Sequence, residues 1–195
     1  MKRLALLPLI TLALAACSGD TATAPKTVQV SRPSLAVLAG FYAGTINDAF
    51  APSGTHLQTG TIGCTVNADL SISCGAYELA GVGHTNIALA LAARYTAIID
   101  CNNPASANRN NAIESHTSDF TATTPPTIIA SVKNGRLSVP SRSISAFSAP
   151  QVCPNDNWVP EIRPGSLELV GFLYTVLFDG FLDPNDAIRI LQGTI

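Results

Sequence analysis

Apolar and β-branched positions come in short runs along the chain, and small or turn-forming residues separate these runs. The breaks hold Gly, Pro, Asn and Ser. Short runs at this spacing are typical of β-sandwiches and barrels, whose brief strands are joined by turns. The predicted strands cover residues 35–46, 59–66, 71–79, 86–100, 118–123, 127–133, 136–140, 143–147, 166–178 and 187–192. We therefore predict an all-β fold, an antiparallel β-sandwich or a partly open barrel, in a single domain over residues 34–195.

The run at residues 86–100 fits two kinds of secondary structure. Its apolar residues roughly alternate, as in a half-buried strand, while Ile87, Leu91 and Tyr95 also fit one face of a helix. The alanine content favours the helix. We predict a strand, because a long strand that ends at Cys101 suits a β-domain stapled by disulfides.

The last third of the chain holds one more long run and two turn sequences. Residues 166–178 are apolar at both odd and even positions, which predicts a central strand covered on both faces. The segment 133–136 (Lys-Asn-Gly-Arg) suits the type I′ turn of a hairpin. The segment 183–186 (Asp-Pro-Asn-Asp) suits a type I turn that joins the last two strands.

One disulfide follows from the expected register of a hairpin. Beyond the N-terminal leader the chain has four cysteines, which are Cys64, Cys74, Cys101 and Cys153. Residues 67–70 suit a type I turn followed by a left-handed residue. In this three-residue loop Asn67 pairs with Ser71, which sets Cys64 opposite Cys74 at a non-hydrogen-bonded position. Cα atoms there lie about 4.5 Å apart, inside the disulfide window of about 4.4–6.8 Å.

The second disulfide follows by elimination between Cys101 and Cys153. In the hairpin, Leu70 takes the left-handed position at a cost on the order of 1–2 kcal/mol. The bridge between Cys64 and Cys74 contributes roughly 3 kcal/mol in the chain-entropy model, and the second bridge roughly 4 kcal/mol. Metal ligation is the competing interpretation. It is disfavoured because no cysteine pair has the spacing of about two to four residues that zinc sites use.

The N-terminus has the layout of an export signal. Lys2 and Arg3 precede an apolar run at residues 4–16, which is shorter than the roughly 20 residues that a membrane-spanning helix needs. The sequence Leu14-Ala15-Ala16-Cys17 resembles the lipobox of bacterial lipoproteins. This resemblance implies cleavage of a signal peptide at residues 1–16 and a membrane anchor of acyl chains on Cys17.

The alternative is ordinary signal-peptidase cleavage at a site flanked by Ala13 and Ala15, which would leave Cys17 as an unpaired thiol in an oxidising compartment. Residues 17–33 are small and polar with two prolines, and we predict a flexible tether. Ser18 directly after the cysteine implies, by analogy with Gram-negative lipoproteins, an outer-membrane location in the cell envelope.

Composition and charge exclude one class of partner. Of the 195 residues only 12% are charged, and the formal net charge is −2. A nucleic-acid-binding protein requires a basic surface, and this composition does not supply one. No cofactor is predicted either, since glycine-rich phosphate loops and Cys-x-x-Cys redox motifs do not occur in the sequence.

Candidate catalytic and metal-binding residues are scattered. The sequence contains no Gly-x-Ser-x-Gly motif. His56, His84 and His116 neighbour Thr, Gly or Ser, and their spacing matches no metal site, so we predict none. Asp179, Asp183, Asn185 and Asp186 could offer oxygen ligands to calcium, but they do not follow the EF-hand pattern and a turn already explains two of them.

Two irregular segments could carry binding residues. An Asn-rich loop follows Cys101, with Asn102, Asn103, Asn108, Asn110 and Asn111. We expect a solvated connection there. The segment 149–164 holds Cys153 and Trp158, and we expect the tryptophan to pack near the disulfide rather than to serve as a ligand platform. Residues 153–158 resemble segments of uncharacterised secreted bacterial proteins, a resemblance that implies no activity.

Two hypotheses for function follow. The leading one is a non-enzymatic, membrane-anchored lipoprotein that binds an envelope protein or a small ligand, or that supports the envelope. The competing one is a lipid-anchored hydrolase whose catalytic residues are dispersed along the sequence. Convergence of histidine and acidic side chains in one pocket would distinguish the second hypothesis from the first.

Overall fold

A computed structural model describes residues 36–105, 114–131, 134–145, 147–181 and 186–195. These residues form strands and one 3-10 helix, Asp48–Phe50, and all strand pairs are antiparallel. The strands are β1 (Gly40–Ala43), β2 (His56–Gly60), β3 (Gly63–Val66), β4 (Ile72–Cys74), β5 (Tyr77–Ala80), β6 (Ile87–Asn102), β7 (Glu114–Thr123), β8 (Thr127–Ile129), β9 (Arg136–Val139), β10 (Arg142–Ile144), β11 (Val159–Ile162), β12 (Glu168–Phe178) and β13 (Ile188–Gly193).

Several predictions concern residues outside these ranges. They are the signal peptide (1–16), lipidation of Cys17, the tether (17–33), most of the Asn-rich loop, and the turn residues Asp183 and Asn185. These stay predictions.

Strand β6 is the centre of a six-stranded sheet, which we call the long sheet. It pairs with β12 and β11 along one edge and with β7 and β8 along the other, and β13 pairs with β12. Its odd-numbered residues from Ile87 to Cys101 are buried and its even-numbered residues up to Asp100 are half-buried. The strand prediction for residues 86–100 is confirmed, because strand alternation places every odd residue on the core side.

Strand β12 lies between β6 and β13, so its central position is confirmed. The prediction that both of its faces are covered is wrong. Phe172, Tyr174 and Val176 are fully buried, whereas Leu173 and Leu177 on the opposite face are only half-buried. Antiparallel sheets commonly have one face on the core and one near solvent, and apolar residues are tolerated on the second face.

The second layer consists of two hydrogen-bonded ladders, and three segments of the chain each contribute a strand to both of them. The order is β1-β3-β4-β10 in the first ladder and β2-β5-β9 in the second. Since β2 continues into β3, β4 into β5 and β9 into β10 after two residues each, three long strands run through both ladders. We call these two ladders the bent layer.

The bent layer and the long sheet enclose the core, which confirms the antiparallel sandwich. Fully buried side chains come from both layers, including Ile72, Leu79 and Leu137 from one and Leu89 and Phe178 from the other. Across the layers, the hydroxyls of Tyr77 and Tyr174 lie 3.1 Å apart in a buried hydrogen bond. Burial raises the pKa of both tyrosines, so both are neutral.

The predicted cysteine hairpin is confirmed in its register. Val66 pairs with Ile72 and Cys64 with Cys74, and the two cysteines form a disulfide with Cα atoms 4.0 Å apart. Leu70 takes the left-handed conformation with φ of 64°. The predicted bridge between Cys101 and Cys153 is also present, with Cα atoms 5.7 Å apart.

Polar contacts explain why the turn tolerates Leu70. The Asp69 carboxylate accepts hydrogen bonds from the backbone N–H of Ser71 (3.0 Å) and from its hydroxyl (2.6 Å), and these bonds hold the pKa of Asp69 below its usual value. Tyr95 of the long sheet donates to the carbonyl of Leu70 at 3.0 Å. The tip of the hairpin is thus fixed both within the turn and to the opposite layer.

The predicted hairpin at residues 133–136 is wrong, although its turn chemistry is right. Asn134 and Gly135 both have positive φ, of 88° and 66°, as a type I′ turn requires. The flanking strands do not pair with each other, because β8 pairs with β6 of the long sheet and β9 with β5 of the bent layer. The turn therefore joins the two layers, and within the bent layer the carbonyl of Gly135 accepts from the N–H of Val82 at 3.1 Å.

Other strand boundaries also differ from the predictions. Only Gly40–Ala43 of residues 35–46 form a strand. Strand β7 begins at Glu114, four residues before the predicted start, and β11 (Val159–Ile162) lies in a segment expected to be irregular. The sequence pattern does not predict β11 because proline, here Pro160, is rare in strands except at the edges of sheets. The structure shows that β11 is such an edge strand.

Candidate functional site

Three neighbouring strands of the bent layer break at the same level. The breaks lie at residues 61–62 between β2 and β3, at 75–76 between β4 and β5, and at 140–141 between β9 and β10. Glycine, alanine, proline and serine predominate there. Because the breaks are adjacent across the layer, they form one continuous depression in its solvent-facing surface.

In two of the strands, the alternation of buried and exposed residues shifts by one residue at the break. The buried positions are Ile72, Cys74, Tyr77 and Leu79 along β4 and β5, and Leu137, Val139 and Ile144 along β9 and β10. In each case the buried parity changes at the break. An extra residue keeps the apolar side chains on the core face on both sides of the bend, as a β-bulge does.

The depression has two parts that meet at Ala76, and we call the whole surface the bend cleft. The larger part has a volume of about 470 Å³ and is lined by Phe41, Thr61, Gly63, Thr65, Ser73 and Ser141, among others. The smaller part has a volume of about 380 Å³ and is lined by Thr59, Gly60, Glu78, Ser138 and Pro140, among others. The cleft is shallow and open to solvent.

Two glycines shape the floor of the bend cleft. Gly60 has a φ of 86°, and a Cβ there would lie 2.9 Å from the carbonyl oxygen of Ala76. At Gly63 a Cβ would overlap the ring of Phe41 and lie 3.0 Å from the carbonyl oxygen of Tyr42, so a side chain there would displace that ring. The Phe41 ring therefore packs directly on the Gly63 backbone.

Phe41 is the large apolar side chain of the bend cleft, and it stays 57% exposed. It lies on β1 opposite Thr65 of β3, which in turn lies opposite Ser73 of β4. The next residue, Tyr42, points into the core, where its ring meets Phe172 edge to face at 5.5 Å. Strand alternation thus fixes Phe41 on the outer surface.

Around Phe41 the lining is rich in hydroxyl groups. The hydroxyls of Thr61, Thr65, Ser73 and Ser141 make no hydrogen bond to any other residue that the structure describes. In the smaller part the carboxylate of Glu78 forms an ion pair with Arg136, whose Nη1 donates to it at 3.3 Å. The lining therefore combines an exposed aromatic ring, available hydroxyls and a carboxylate whose charge is balanced.

The histidines occupy separate places in the fold and do not line the bend cleft. His56 lies on β2 and its Nδ1 is 2.8 Å from the carbonyl of Gly54, and His84 is exposed before β6. His116 lies on β7 with Nε2 at 3.1 Å from Glu114 Oε1. Within the described ranges, no group of three or more His, Cys, Asp or Glu side chains could hold a metal ion.

The candidate calcium ligands can be placed only in part. Asp179 is exposed, and Asp186 forms an ion pair with Arg189 at 3.5 Å. Trp158 is half-buried in the turn that follows Cys153, where its backbone N–H donates to the carbonyl of Asn155 at 2.9 Å.

The sequence predicts that Asn102 belongs to a solvated loop, and the structure shows that it does not. It ends β6, is 9% exposed, and donates to Glu161 of β11 at 2.9 Å. Asn103 accepts a hydrogen bond from the N–H of Ala105 at 2.9 Å. These two asparagines of the predicted loop are therefore committed to local structure.

One charged cluster lies close to this strand end. Arg163 binds the Asp100 carboxylate through Nε at 3.1 Å and Nη2 at 2.7 Å, and the hydroxyl of Ser115 donates to the same carboxylate at 2.8 Å. The hydrogen bonds from Arg163, and then those from Ser115, hold the pKa of Asp100 below its usual value. The cluster joins β6, β7 and the loop before β12, and its members bind one another.

Sequence reasoning missed the bend cleft, although a signal for it is present. The buried parity changes between Cys74 and Tyr77 and again between Val139 and Ile144. Both shifts are visible in the sequence as apolar positions that change from even to odd or from odd to even. Their adjacency is not visible, because it depends on the pairing of β4 with β10 and of β5 with β9.

Comparison of the chain with protein-family models, with curated proteins and with solved structures gave no match. In the described part of the chain, no helix has the length and apolar character that a membrane span requires.

Proposed function

We propose that this protein is a lipid-anchored, non-enzymatic binding module of the bacterial envelope, and that the bend cleft is its binding site. The anchor is Cys17, within the sequence that resembles a lipobox, and residues 17–33 would let the domain stand away from the lipid surface. In a Gram-negative cell the location would be the outer membrane.

The observation that carries the proposal is the exposed Phe41 ring among uncommitted hydroxyls. Large apolar side chains with polar neighbours are typical of recognition surfaces, because the ring supplies contact area and the polar groups supply orientation. Neither feature belongs to the buried core, since Phe41 remains 57% exposed and the neighbouring hydroxyls bond to no described residue.

The cleft is also well fixed, which favours binding over a conformational role. Its floor belongs to three paired strands, and the disulfide Cys64–Cys74 lies directly beneath the larger part. A preformed site loses less conformational entropy when it binds a ligand, so weak individual contacts suffice. The lining side chains include the carboxylate of Glu78, which pairs with Arg136 at 3.3 Å.

Site-specific photo-cross-linking in living cells tests this proposal. A benzophenone amino acid replaces Ser73 in the bend cleft, and a matched variant carries it at Thr121, an exposed residue on the long sheet. We expect a discrete envelope component to cross-link at Ser73 and not at Thr121, and to be lost when Phe41→Ala is added. Equal cross-linking at both positions, or none at Ser73, would contradict the proposal.

The anchor has a separate test. Mass spectrometry of the mature N-terminal peptide should find acyl chains on Cys17, and Cys17→Ala should move the protein from the membrane fraction to the soluble fraction. An unmodified thiol on Cys17 would reject the anchor while leaving the binding site untouched.

A further inference from the structure

We infer that the bend cleft binds a neutral oligosaccharide, an inference that rests on the proposed function. The chemistry of the cleft is that of a sugar-binding surface: an exposed aromatic ring beside hydroxyl groups, on a shallow and open platform. A pyranose ring has an apolar face of C–H groups and a rim of hydroxyls, so the two surfaces are complementary.

Phe41 is placed to contact the apolar face of a sugar. Its ring rests on the Gly63 backbone, so it cannot move inward, and 57% of its surface remains exposed. The contact with the Gly63 backbone restricts the ring before binding, which reduces the side-chain entropy lost when a ligand binds. The contact removes apolar area of both partners from water, which is the favourable term that an aromatic platform supplies.

The hydroxyls of Thr65 and Ser73 lie on paired neighbouring strands on the same face as Phe41. A hydroxyl can both donate and accept, as can each sugar hydroxyl, so the lining adapts to either role. Thr61 and Ser141 extend this polar lining across the breaks.

Charge in the cleft favours a neutral ligand. The larger part is lined by no Asp, Glu, Lys, Arg or His, and the Glu78 carboxylate of the smaller part is paired with Arg136 at 3.3 Å. A phosphorylated or polyanionic ligand would need cations that converge on the site, and a cationic ligand would need unpaired carboxylates. The described lining offers neither arrangement.

The shape of the cleft favours an extended chain of sugars over a single compact ligand. Small-molecule pockets usually enclose most of the ligand surface, whereas this cleft is open along its length. Its two parts, of about 470 Å³ and 380 Å³, meet at Ala76 and could receive successive units.

Addition of a peptide strand to the sheet is the main alternative for this surface. Strand β2 is an edge strand beside the cleft, with all of its residues exposed. Its pairing with β5 shifts register between Leu57 and Thr59, and such irregular edges disfavour further strand pairing. We therefore assign the site to sugars, and a peptide becomes an outcome of the test.

Isothermal titration calorimetry of the purified full chain tests the inference with defined probes. The neutral probes are chitotetraose, cellotetraose and maltotetraose, tetragalacturonate is the charged counterpart, and an extended hexapeptide represents strand addition. We expect at least one neutral tetrasaccharide to bind, and tetragalacturonate and the peptide to bind more weakly or not at all. A preference for chitotetraose would indicate the N-acetylated sugars of bacterial envelopes, and a preference for the glucose polymers would indicate an external polysaccharide.

Variants separate the cleft from other surfaces. Phe41→Ala should weaken binding roughly fivefold or more, Phe41→Trp should retain it, and Thr65→Val should weaken it with the cleft shape preserved. Ile128→Ala is the matched control, because Ile128 is 65% exposed on the long sheet. Its affinity should equal that of the native chain.

The possible failures are distinguishable. If no neutral tetrasaccharide binds while Ser73 still cross-links in cells, the sugar inference is overturned and the proposed binding site stands. If neither is observed, both fall. Binding that Phe41→Ala and Ile128→Ala leave equally unchanged would overturn the assignment of sugars to this cleft, as would preferential binding of the hexapeptide or of tetragalacturonate.

Discussion

The long sheet and the bent layer have similar apolar residues facing the core, yet they present different outer surfaces. Strand β6 keeps one alternation from Ile87 to Cys101, and its outer face carries half-buried small residues such as Ala88 and Ala90. In the bent layer, the alternation breaks at residues 75–76 and 140–141. Strand β12 of the long sheet shifts register once, between Leu169 and Gly171, beside the unbroken β6. A single break leaves the sheet surface continuous, and adjacent breaks yield a cleft.

The difference shows how a fold can acquire a site without a recognisable motif. A one-residue insertion in a strand costs some ladder hydrogen bonds but keeps the core face intact. When paired strands carry the insertion at the same level, the outer surface becomes concave. The residues that line it are then free to serve recognition, because the core does not constrain them.

The largest expected effect is the loss of stability on removal of a disulfide, and it should differ between the two bridges. Cys101→Ala with Cys153→Ala should lower the free energy of unfolding by about 4 kcal/mol, and Cys64→Ala with Cys74→Ala by about 3 kcal/mol, because the first bridge closes the longer loop. The sequence separations are 52 and 10. Urea denaturation of the two double variants checks the order, and a larger loss for the hairpin bridge would contradict it.

A substitution in the floor of the cleft should lower the stability of the protein. Gly63→Ala should lower the free energy of unfolding by about 1–3 kcal/mol, because the new methyl group overlaps the Phe41 ring. Gly75→Ala is the matched control in the same bend, where the nearest atom to a new Cβ is 3.9 Å away. Thermal denaturation of both variants should show a larger loss of stability for Gly63→Ala. Equal losses would contradict the packing of Phe41 on Gly63.

The contact between the two layers should be sensitive to single substitutions. Tyr77→Phe or Tyr174→Phe should each cost about 1–2 kcal/mol, because the remaining hydroxyl is buried without its partner. The double variant should cost less than the sum of the two single variants. A double-mutant cycle measured by urea denaturation gives this coupling, and strict additivity would exclude the hydrogen bond between the layers.

The smallest expected effect is at the Asp100 carboxylate of the long sheet. Its pKa is lowered in the folded state, mainly by Arg163, so its contribution to stability is fully present above the unfolded-state pKa of about 3.9 and is lost as the pH falls through the folded value. Asp100→Asn should therefore be less stable at neutral pH, by less than about 1 kcal/mol, because Arg163 is 43% exposed and solvent screens the ion pair. The difference should shrink in acid.

Stability curves of the native chain and Asp100→Asn between about pH 6 and pH 2 measure this effect. A difference that grows as the pH falls would have the wrong sign for a lowered pKa.

Local signals in the sequence predicted much of the framework. The turn at Asn67 fixed the register that places Cys64 against Cys74, and alternation in residues 86–100 identified β6. The sequence did not reveal which strands become neighbours. For that reason, the sequence predicts a hairpin at Asn134, where the turn joins two layers instead, and it does not predict the cleft, which needs β4 beside β10.

Hydrogen exchange with mass spectrometry tests the central claim most directly, by comparing the native protein with and without isolated envelope material from the cells that express it. The account predicts slower amide exchange in residues 59–65, 73–78 and 138–141, no change in residues 88–92 and 173–177, and loss of the effect in Phe41→Ala. Protection on the long sheet instead, or no protection anywhere, would contradict the claim that the bend cleft is the binding site.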